Sequence, residues 1–330
     1  MTANSSGLQR EIEALAGVEL SVAAPLAPRT TFRIGGEAEL LAEVGSEEAL
    51  CGVVAAVWST GTPCLVLGLG SNVLFPDEGL GGLVLKLVGD LARVRFDGTS
   101  VEAGGGVPLP RLARRTVAQG LSGLEALAGF PSTVGGAVVM NAGSYGAEIR
   151  DVLDVARVIA ADGVVREVGV DALEAGYRTT RLQGSGEIVA SARFRLAPGD
   201  AATGLARIQE LNRRRWRSLP SGHPNAGSIF RNPAGEAAGR LIEACGLKGR
   251  RHGEAEISPR HANVIVNLGA ATAADVLALM VEARRAVEDR FGIALEPEIV
   301  LAGPLRAEWL AATGRGRHGD GDGASVSSSA

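Results

Sequence analysis

Residues 38–44 (AELLAEV) form a short apolar run that predicts a strand, and 63–67 (PCLVL) and 83–87 (LVLKL) predict two more. Between the first two, Ser46 followed by Glu47 and Glu48 opens a helix that the pattern carries to Trp58. The hydroxyl suits an N-cap and the acidic first turn suits the helix dipole. Asp97-Gly98 joins the runs 92–96 and 99–103, and Asp162-Gly163 joins 152–160 to 164–168. Two-residue turns of this kind predict hairpins. Pro108 in the first turn and Gly120 as the stop bound a helix that reaches Gln119, and 187–196 is a further strand. After Pro198-Gly199 the pattern changes. A polar helix covers 203–217, a Pro/Gly/Ser loop covers 219–228, helices at 236–245 and 272–291 flank a strand at 263–268, and 297–301 is a last strand. Hairpins are too frequent for a purely parallel sheet, so the fold class expected is α+β, with no internal repeat. The ends, 1–7 and 313–330, offer little to bury and are expected to be disordered.

A length of 330 residues leaves room for two or three domains, and 46% hydrophobic with 21% charged residues is globular composition. The net charge of −4 argues against binding nucleic acid through a broad basic surface. Cys51, Cys64 and Cys245 are odd in number and form no Cys-x-x-Cys, which speaks against a disulfide framework and for a reducing, cytoplasmic setting. The first residues hold no apolar signal core, and the uncharged run from Ala49 to Phe75 is broken by Ser59-Thr60-Gly61-Thr62-Pro63, so no membrane insertion is expected. His223, His252 and His261 lack metal-ligand spacing, and no metal is expected.

Glycine changes the picture. The chain has 46, and 18 of them fall within 61–146, where backbone without side chains is evidently needed. One cluster is LGLGSN at 67–72, directly after a predicted strand. Its bare N–H groups can face a phosphate, with Ser71 and Asn72 adding donors. It is no dinucleotide fingerprint, because Val73 stands where a third glycine belongs and Pro76-Asp77 blocks a following helix. Gly104-Gly105-Gly106 reads equally well as a cofactor approach or a bulged strand exit. The block GLEALAGFPSTVGGAVVMNAGSYG, 123–146, has the small-residue composition that a large flat ligand lying on backbone demands.

With these stand TTFRIGGEAE (30–39), GYRTTRL (176–182), AGSIFRNP (226–233), AGRLIEACGLKG (238–249), SPRHANVIVN (258–267) and LEPEIVLAG (295–303). In that order the segments resemble the UDP-N-acetylenolpyruvoylglucosamine reductases over about residues 20–303, in the form without an extra tyrosine-bearing loop. Both tyrosines of the chain, Tyr145 and Tyr177, already lie in shared motifs. Phe130 and Ser132 depart from the Ile and Gly common there, and Arg231 replaces a common Lys.

The resemblance implies a fold and an activity. Residues 1–27 would be an arm and 28–198 an FAD-binding domain of the vanillyl-alcohol-oxidase (PCMH) type. A substrate domain would follow at 199–303, then an extension at 304–330. The implied reaction reduces the enolpyruvyl double bond of UDP-N-acetylglucosamine-enolpyruvate, with non-covalent FAD and NADPH as reductant. Arg178 would neutralise the substrate carboxylate, Ser228 would protonate carbon, and Glu298, preferred over Glu296, would act as an acid or hydrogen-bond donor with a raised pKa. The implied cofactor contacts are Gly68, Gly70, Ser71, Asn72, Gly129, Pro131, Thr133, Gly135, Gly136, Asn141 and Gly143. The implied substrate contacts are Tyr177, Asn232 and Arg231. His261 and Asn263 are expected to fix local backbone, and Arg213–Arg217 reads first as a solvated helix end, second as a diphosphate contact. Two alternatives stay open from the residues alone: an oxidase or dehydrogenase of other substrates on the same scaffold, and a non-catalytic nucleotide-binding module.

Overall fold

A computed structural model describes residues 3–314. Helix α1 (Ala3–Glu13) lies against α2 (Glu47–Thr60) and buries Leu8 and Ile12, and β1 (Val18–Pro25) follows it. The disorder expected for 1–7 is corrected at 3–7 by this helix, stabilised by its apolar face on α2, while residues 1 and 2 lie outside the described part of the chain. The disorder expected from 313 concerns residues that, beyond 314, lie outside the described part of the chain. Strand β1 pairs antiparallel with β2 (Glu37–Val44), which runs parallel to β5 (Leu80–Leu87), and β5 runs parallel to β3 (Cys64–Val66). The central position of β5 is why LVLKL reads as continuous apolar sequence: Leu83, Val84 and Leu85 are all buried. Ser46 caps α2, its Oγ accepting from Ala49 N at 3.2 Å, and Gly61 ends the helix in the left-handed region at φ 61°.

Both predicted hairpins form. They are β6 (Val94–Asp97) with β7 (Ser100–Gly104), and, after the short pairs β8 (Leu121–Ser122), β9 (Gly143–Ser144) and β10 (Ala147–Glu148), β11 (Leu153–Ile159) with β12 (Val165–Gly169). With β13 (Ile188–Arg195) they make a five-stranded antiparallel sheet in the order β12-β11-β13-β7-β6. Its inner face packs against α3 (Leu109–Ala118) and the short α4 (Val134–Val139). Helix α4 was not foreseen. Thr133 caps it, its Oγ1 accepting from Gly136 N, and the low propensity of VGGAVV is outweighed by burial.

The remainder carries β14 (Ala197–Pro198), α5 (Ala201–Ser218), α6 (Ala238–Ala244), the sheet β15 (Arg251–His252), β16 (Ala255–Ile257) and β17 (Ile265–Asn267), then α7 (Ala273–Phe291), β18 (Val300–Leu301) and α8 (Leu305–Ala312). Leu8 and Ile12, from the arm expected at 1–27, share a core with β2, α2 and β5. Ile208 of α5, expected in the substrate domain, lies in the core under the antiparallel sheet. Helix α8, assigned to an extension, buries Leu305 and Trp309 in the second core, which also takes in Phe32, Ile34 and Leu74 from the first part of the chain.

The units are stitched by parallel pairing of β4 (Val73–Leu74) with β18. The Asp77 carboxylate adds to this by accepting from Ala273 N at 2.8 Å and Ala274 N at 3.3 Å at the start of α7. Among the described residues no helix is long and apolar enough to cross a membrane.

Candidate active site

The loop after β3 is held by its neighbours. Thr31 N donates to Gly70 O at 2.9 Å and Thr31 Oγ1 to Asn225 O at 2.7 Å. Ser71 Oγ donates to the carbonyl of Pro131, tying this loop to 129–133, and Asn72 Nδ2 donates to the carbonyl of Glu298 at 3.2 Å. Both side chains, expected to face a cofactor, donate to protein carbonyls and also line the cavity described next. The backbone N–H groups of 68–72, by contrast, have no backbone acceptor among the described residues.

A cavity of about 400 Å³ opens between this loop, residues 130–133, the Ser228 loop and Glu298. A second of about 240 Å³, reaching Lys86 and Val88, adjoins it through Gly68, Leu69, Thr133 and Gly136, which line both. Arg178, Ser228 and Glu298 come from segments far apart in sequence and all line the larger cavity, together with Gly68, Ser71, Asn72, Pro131, Thr133, Gly136 and Gly143. Gly135 lines the smaller one.

Arg178 sits in the tight turn closed by Gly176 N to Thr179 O at 3.0 Å, with its own φ at 57°. A left-handed arginine is strained backbone, and strain of this kind collects at working sites. Its Nε donates to Glu298 Oε1 at 3.2 Å and its Nη2 to Gly143 O at 2.6 Å. A Cβ on Gly143 would stand 3.2 Å from Arg178 Nη1 and 2.8 Å from Glu148 Cγ, so glycine there leaves the guanidinium its place. Burial pushes the Glu298 carboxyl above its usual range, against the opposing pull of Arg178 and Arg231. Glu296, the alternative, is engaged by Arg284 Nη1 at 3.3 Å and does not line the cavity.

Several expected contacts lie off the cavity wall. A Cβ on Gly70 would fall 2.3 Å from Arg29 O, and one on Gly129 would fall 3.0 Å from Asn212 Oδ1, so both glycines answer to protein packing. Asn141 is buried and acts as a clamp. Its Nδ2 donates to Glu148 Oε2 at 3.0 Å and Gly176 O at 2.9 Å, and its Oδ1 accepts from Arg150 N at 3.1 Å. Asn232 Oδ1 accepts from Ala238 N at 3.0 Å and so caps α6. Tyr177 lies half exposed under the Arg178 guanidinium, 5.3 Å from its ring centroid. Arg231 has a buried Nε with no protein partner. At Gly104, Gly105 and Gly106 added Cβ atoms would lie 2.2, 2.1 and 2.2 Å from the carbonyls of Leu91, Val189 and Leu87, and Gly105 and Gly106 also line the smaller cavity.

The run Arg213–Arg217, read first as a solvated helix end and second as a diphosphate contact, divides: Arg215 lines the cavity while Arg213 and Arg214 pair outside with Glu210. Burial holds the Arg215 guanidinium below its usual pKa, and no carboxylate pairs with it among the described residues. Helical phase from the solvated arginines was the available signal: the side chain between Arg214 and Trp216 turns inward. Thr31 and Asn225, joined by their hydrogen bond, complete the rim.

A relative from Symbiobacterium thermophilum, UDP-N-acetylenolpyruvoylglucosamine reductase 2, is 47% identical over 282 residues, covering 85% of this chain and 91% of its own. The chain belongs to the UDP-N-acetylenolpyruvoylglucosamine reductase family. A reductase of that name from Anaeromyxobacter dehalogenans is 47% identical over 302 residues, 91% of each chain. The solved structure of UDP-N-acetylenolpyruvylglucosamine reductase from Thermus caldophilus is similar at a TM-score of 0.74 and 39% identity, covering 87% of this chain and 99% of that one. Residues 38–169 match an FAD-binding domain family, and 219–302 match the reductase C-terminal domain. The second match begins just after α5 ends.

FAD fits the residues present. At Gly136 an added Cβ would meet only Ser132 Oγ at 3.5 Å and Thr133 Oγ1 at 3.6 Å, so the protein itself tolerates a side chain there, yet the position borders both cavities. A bare position without an internal reason, beside a loop of unpaired N–H groups, suits a ligand lying on backbone.

Proposed function

We propose that the protein reduces the enolpyruvyl double bond of UDP-N-acetylglucosamine-enolpyruvate to give UDP-N-acetylmuramate. It would be a cytoplasmic FAD-dependent oxidoreductase of peptidoglycan precursor synthesis with NADPH as reductant. The observation that carries this reading is the convergence of Arg178, Ser228 and Glu298 on the cavity bordered by the glycine loops. A module that merely binds nucleotide has no use for a strained arginine, a free hydroxyl and a high-pKa carboxyl on one wall.

FAD, held by the 68–72 and 129–136 segments, would supply the hydride chemistry, with NADPH as the electron source and the terminal carbon of the enolpyruvyl group as the acceptor. The chain's residues manage the charge that follows. Negative charge builds on the adjacent carbon and its carboxylate, and Arg178, anchored by Glu298 and Gly143 O, offers a fixed cation at no reorganisation cost. The Ser228 hydroxyl makes no hydrogen bond to protein among the described residues and delivers its proton to carbon; water restores it. Glu298 keeps its own proton through burial and donates it as a hydrogen bond to the carboxylate. Arg215 supplies a cation for the substrate diphosphate. The backbone N–H groups of 68–72 and the bare surface at Gly136 hold FAD, as one unit with the 129–133 loop.

The reading is tested with Ser228→Ala. NADPH should still bleach the flavin of this variant, while its reoxidation by the enolpyruvyl sugar nucleotide should fall by about 10²–10⁴-fold. Normal turnover would remove the proton-donor role, and a protein that folds but purifies colourless and takes up no FAD would remove the flavin assignment.

A further inference from the structure

Among the described residues nothing hydrogen-bonds the Ser228 hydroxyl, so its position comes from the backbone on either side. Upstream, Gly227 is left-handed at φ 74° and its N–H donates to Asn225 Oδ1 at 3.1 Å. Downstream, a single side chain grips the chain. Asn263 is 3% exposed, its Oδ1 accepts from Phe230 N at 2.9 Å, and its Nδ2 donates to Phe230 O at 2.8 Å. Its main-chain carbonyl accepts from Ile229 N at 2.9 Å. On the opposite edge Ile229 O accepts from Glu298 N at 2.7 Å, and Phe230 bridges Pro297. Residues 229 and 230 are therefore a strand fragment with Glu298 on one side and Asn263 in the place of a neighbouring strand on the other.

We propose that Asn263 is a positioning residue: its amide, by pairing with both polar groups of Phe230, fixes Ser228 at the distance from Glu298 that proton delivery requires. This rests on the reading of the site given above. The side-chain amide is suited to the role because it presents a donor and an acceptor in one plane, matching the N–H and C=O of one residue. An ionised aspartate could only accept, and would face the Phe230 carbonyl with a negative charge. A protonated aspartic acid regains one donor and one acceptor. Alanine supplies neither, and leaves two buried polar groups unpaired.

The test uses the full-length FAD enzyme with Asn263→Asp and Asn263→Ala, following flavin absorbance in each half-reaction. Reduction by NADPH should be unchanged in both. Reoxidation by the enolpyruvyl sugar nucleotide should fall about a hundredfold in Asn263→Ala at every pH, the scale of a misplaced reacting group. In Asn263→Asp the loss should appear at high pH and be recovered as pH falls through the carboxyl's titration. His261, which accepts from Asn263 N at 3.3 Å, and Glu298 with Arg231 beyond the strand fragment also face this region. They are common to all three proteins, so the rate is read as a ratio to wild type at each pH.

Wild-type reoxidation in Asn263→Ala would overturn the proposal, as would equal loss of both half-reactions. An Asp variant that tracks the Ala variant at all pH would also overturn it. Should Asn263→Ala not fold, the pH series of Asn263→Asp decides alone. A wild-type enzyme that the sugar nucleotide fails to reoxidise would instead overturn the functional reading.

Discussion

Arg178 donates through Nε to Oε1 of Glu298 at 3.2 Å, yet burial still raises the Glu298 pKa. The pair is thus poised with the acid biased toward its neutral form beside a permanent cation. That arrangement suits a substrate carboxylate, which can take the cation and accept the acid's proton in a hydrogen bond.

A stability consequence follows from that bias. The folded protein holds the Glu298 proton to higher pH than the unfolded chain, whose carboxyl titrates near about 4.3. Stability is therefore full below that value and is lost as pH rises through the folded pKa. Glu298→Gln cannot ionise, so its melting temperature should fall less between pH 5 and pH 8 than that of wild type. The Gln amide can still donate a hydrogen bond to the substrate carboxylate, so reoxidation should persist in Glu298→Gln and be lost in Glu298→Ala. Thermal melts at the two pH values check the first expectation and flavin absorbance the second.

Two glycines separate packing from ligand approach. Gly105→Ala places a Cβ 2.1 Å from Val189 O and should prevent folding or lower the melting temperature steeply. Gly136→Ala meets nothing closer than 3.5 Å, so the apoprotein should remain as stable as wild type while FAD affinity falls. Melting of apoprotein and fluorescence titration with FAD distinguish the two.

Arg215 is a half-buried cation on the cavity wall without a carboxylate partner among the described residues. Arg215→Ala should raise KM for the sugar nucleotide at least about tenfold, in line with a lost charged hydrogen bond of about 1.5–3 kcal/mol. Truncated substrate lacking the diphosphate should be turned over equally by both proteins. Steady-state kinetics with the two substrates tests this.

The carboxylate of Asp77 accepts two N–H groups at the start of α7, 196 and 197 residues away in sequence. Asp77→Ala should cost about 1–2 kcal/mol, the scale of a lost helix cap, measured by denaturant unfolding. Reduction of flavin by NADPH in the folded variant should be unaffected.

Much of the fold was legible because its signals are local. Asp97-Gly98 and Asp162-Gly163 require hairpins for reasons contained in the dipeptides, and Ser46 with Glu47 and Glu48 starts a helix wherever it stands. The elements missed were those whose signal is tertiary. Helix α1 is set by its contact with α2, and α4 contains two glycines and owes its helix to burial between the antiparallel sheet and the cavity. Helix α8 is positioned by Trp309, packed 6.0 Å from Phe230.

The motifs by themselves determined the family, the pairing of a flavin domain with a reductase domain, and the candidate trio Arg178, Ser228 and Glu298, because residue types in a fixed order survive without coordinates. Only the tertiary structure decided which members of the glycine clusters the protein's own packing keeps bare. A glycine forced by a carbonyl 2.1 Å away and one left bare beside a cavity are the same letter in sequence. The structure also decided that Ser71 and Asn72 join loops, that Arg215 turns inward, and that Asn263 holds the Ser228 strand. Each of these depends on what lies across the fold, since a side chain's hydrogen-bond partner is set by distance in space and not by position in the chain.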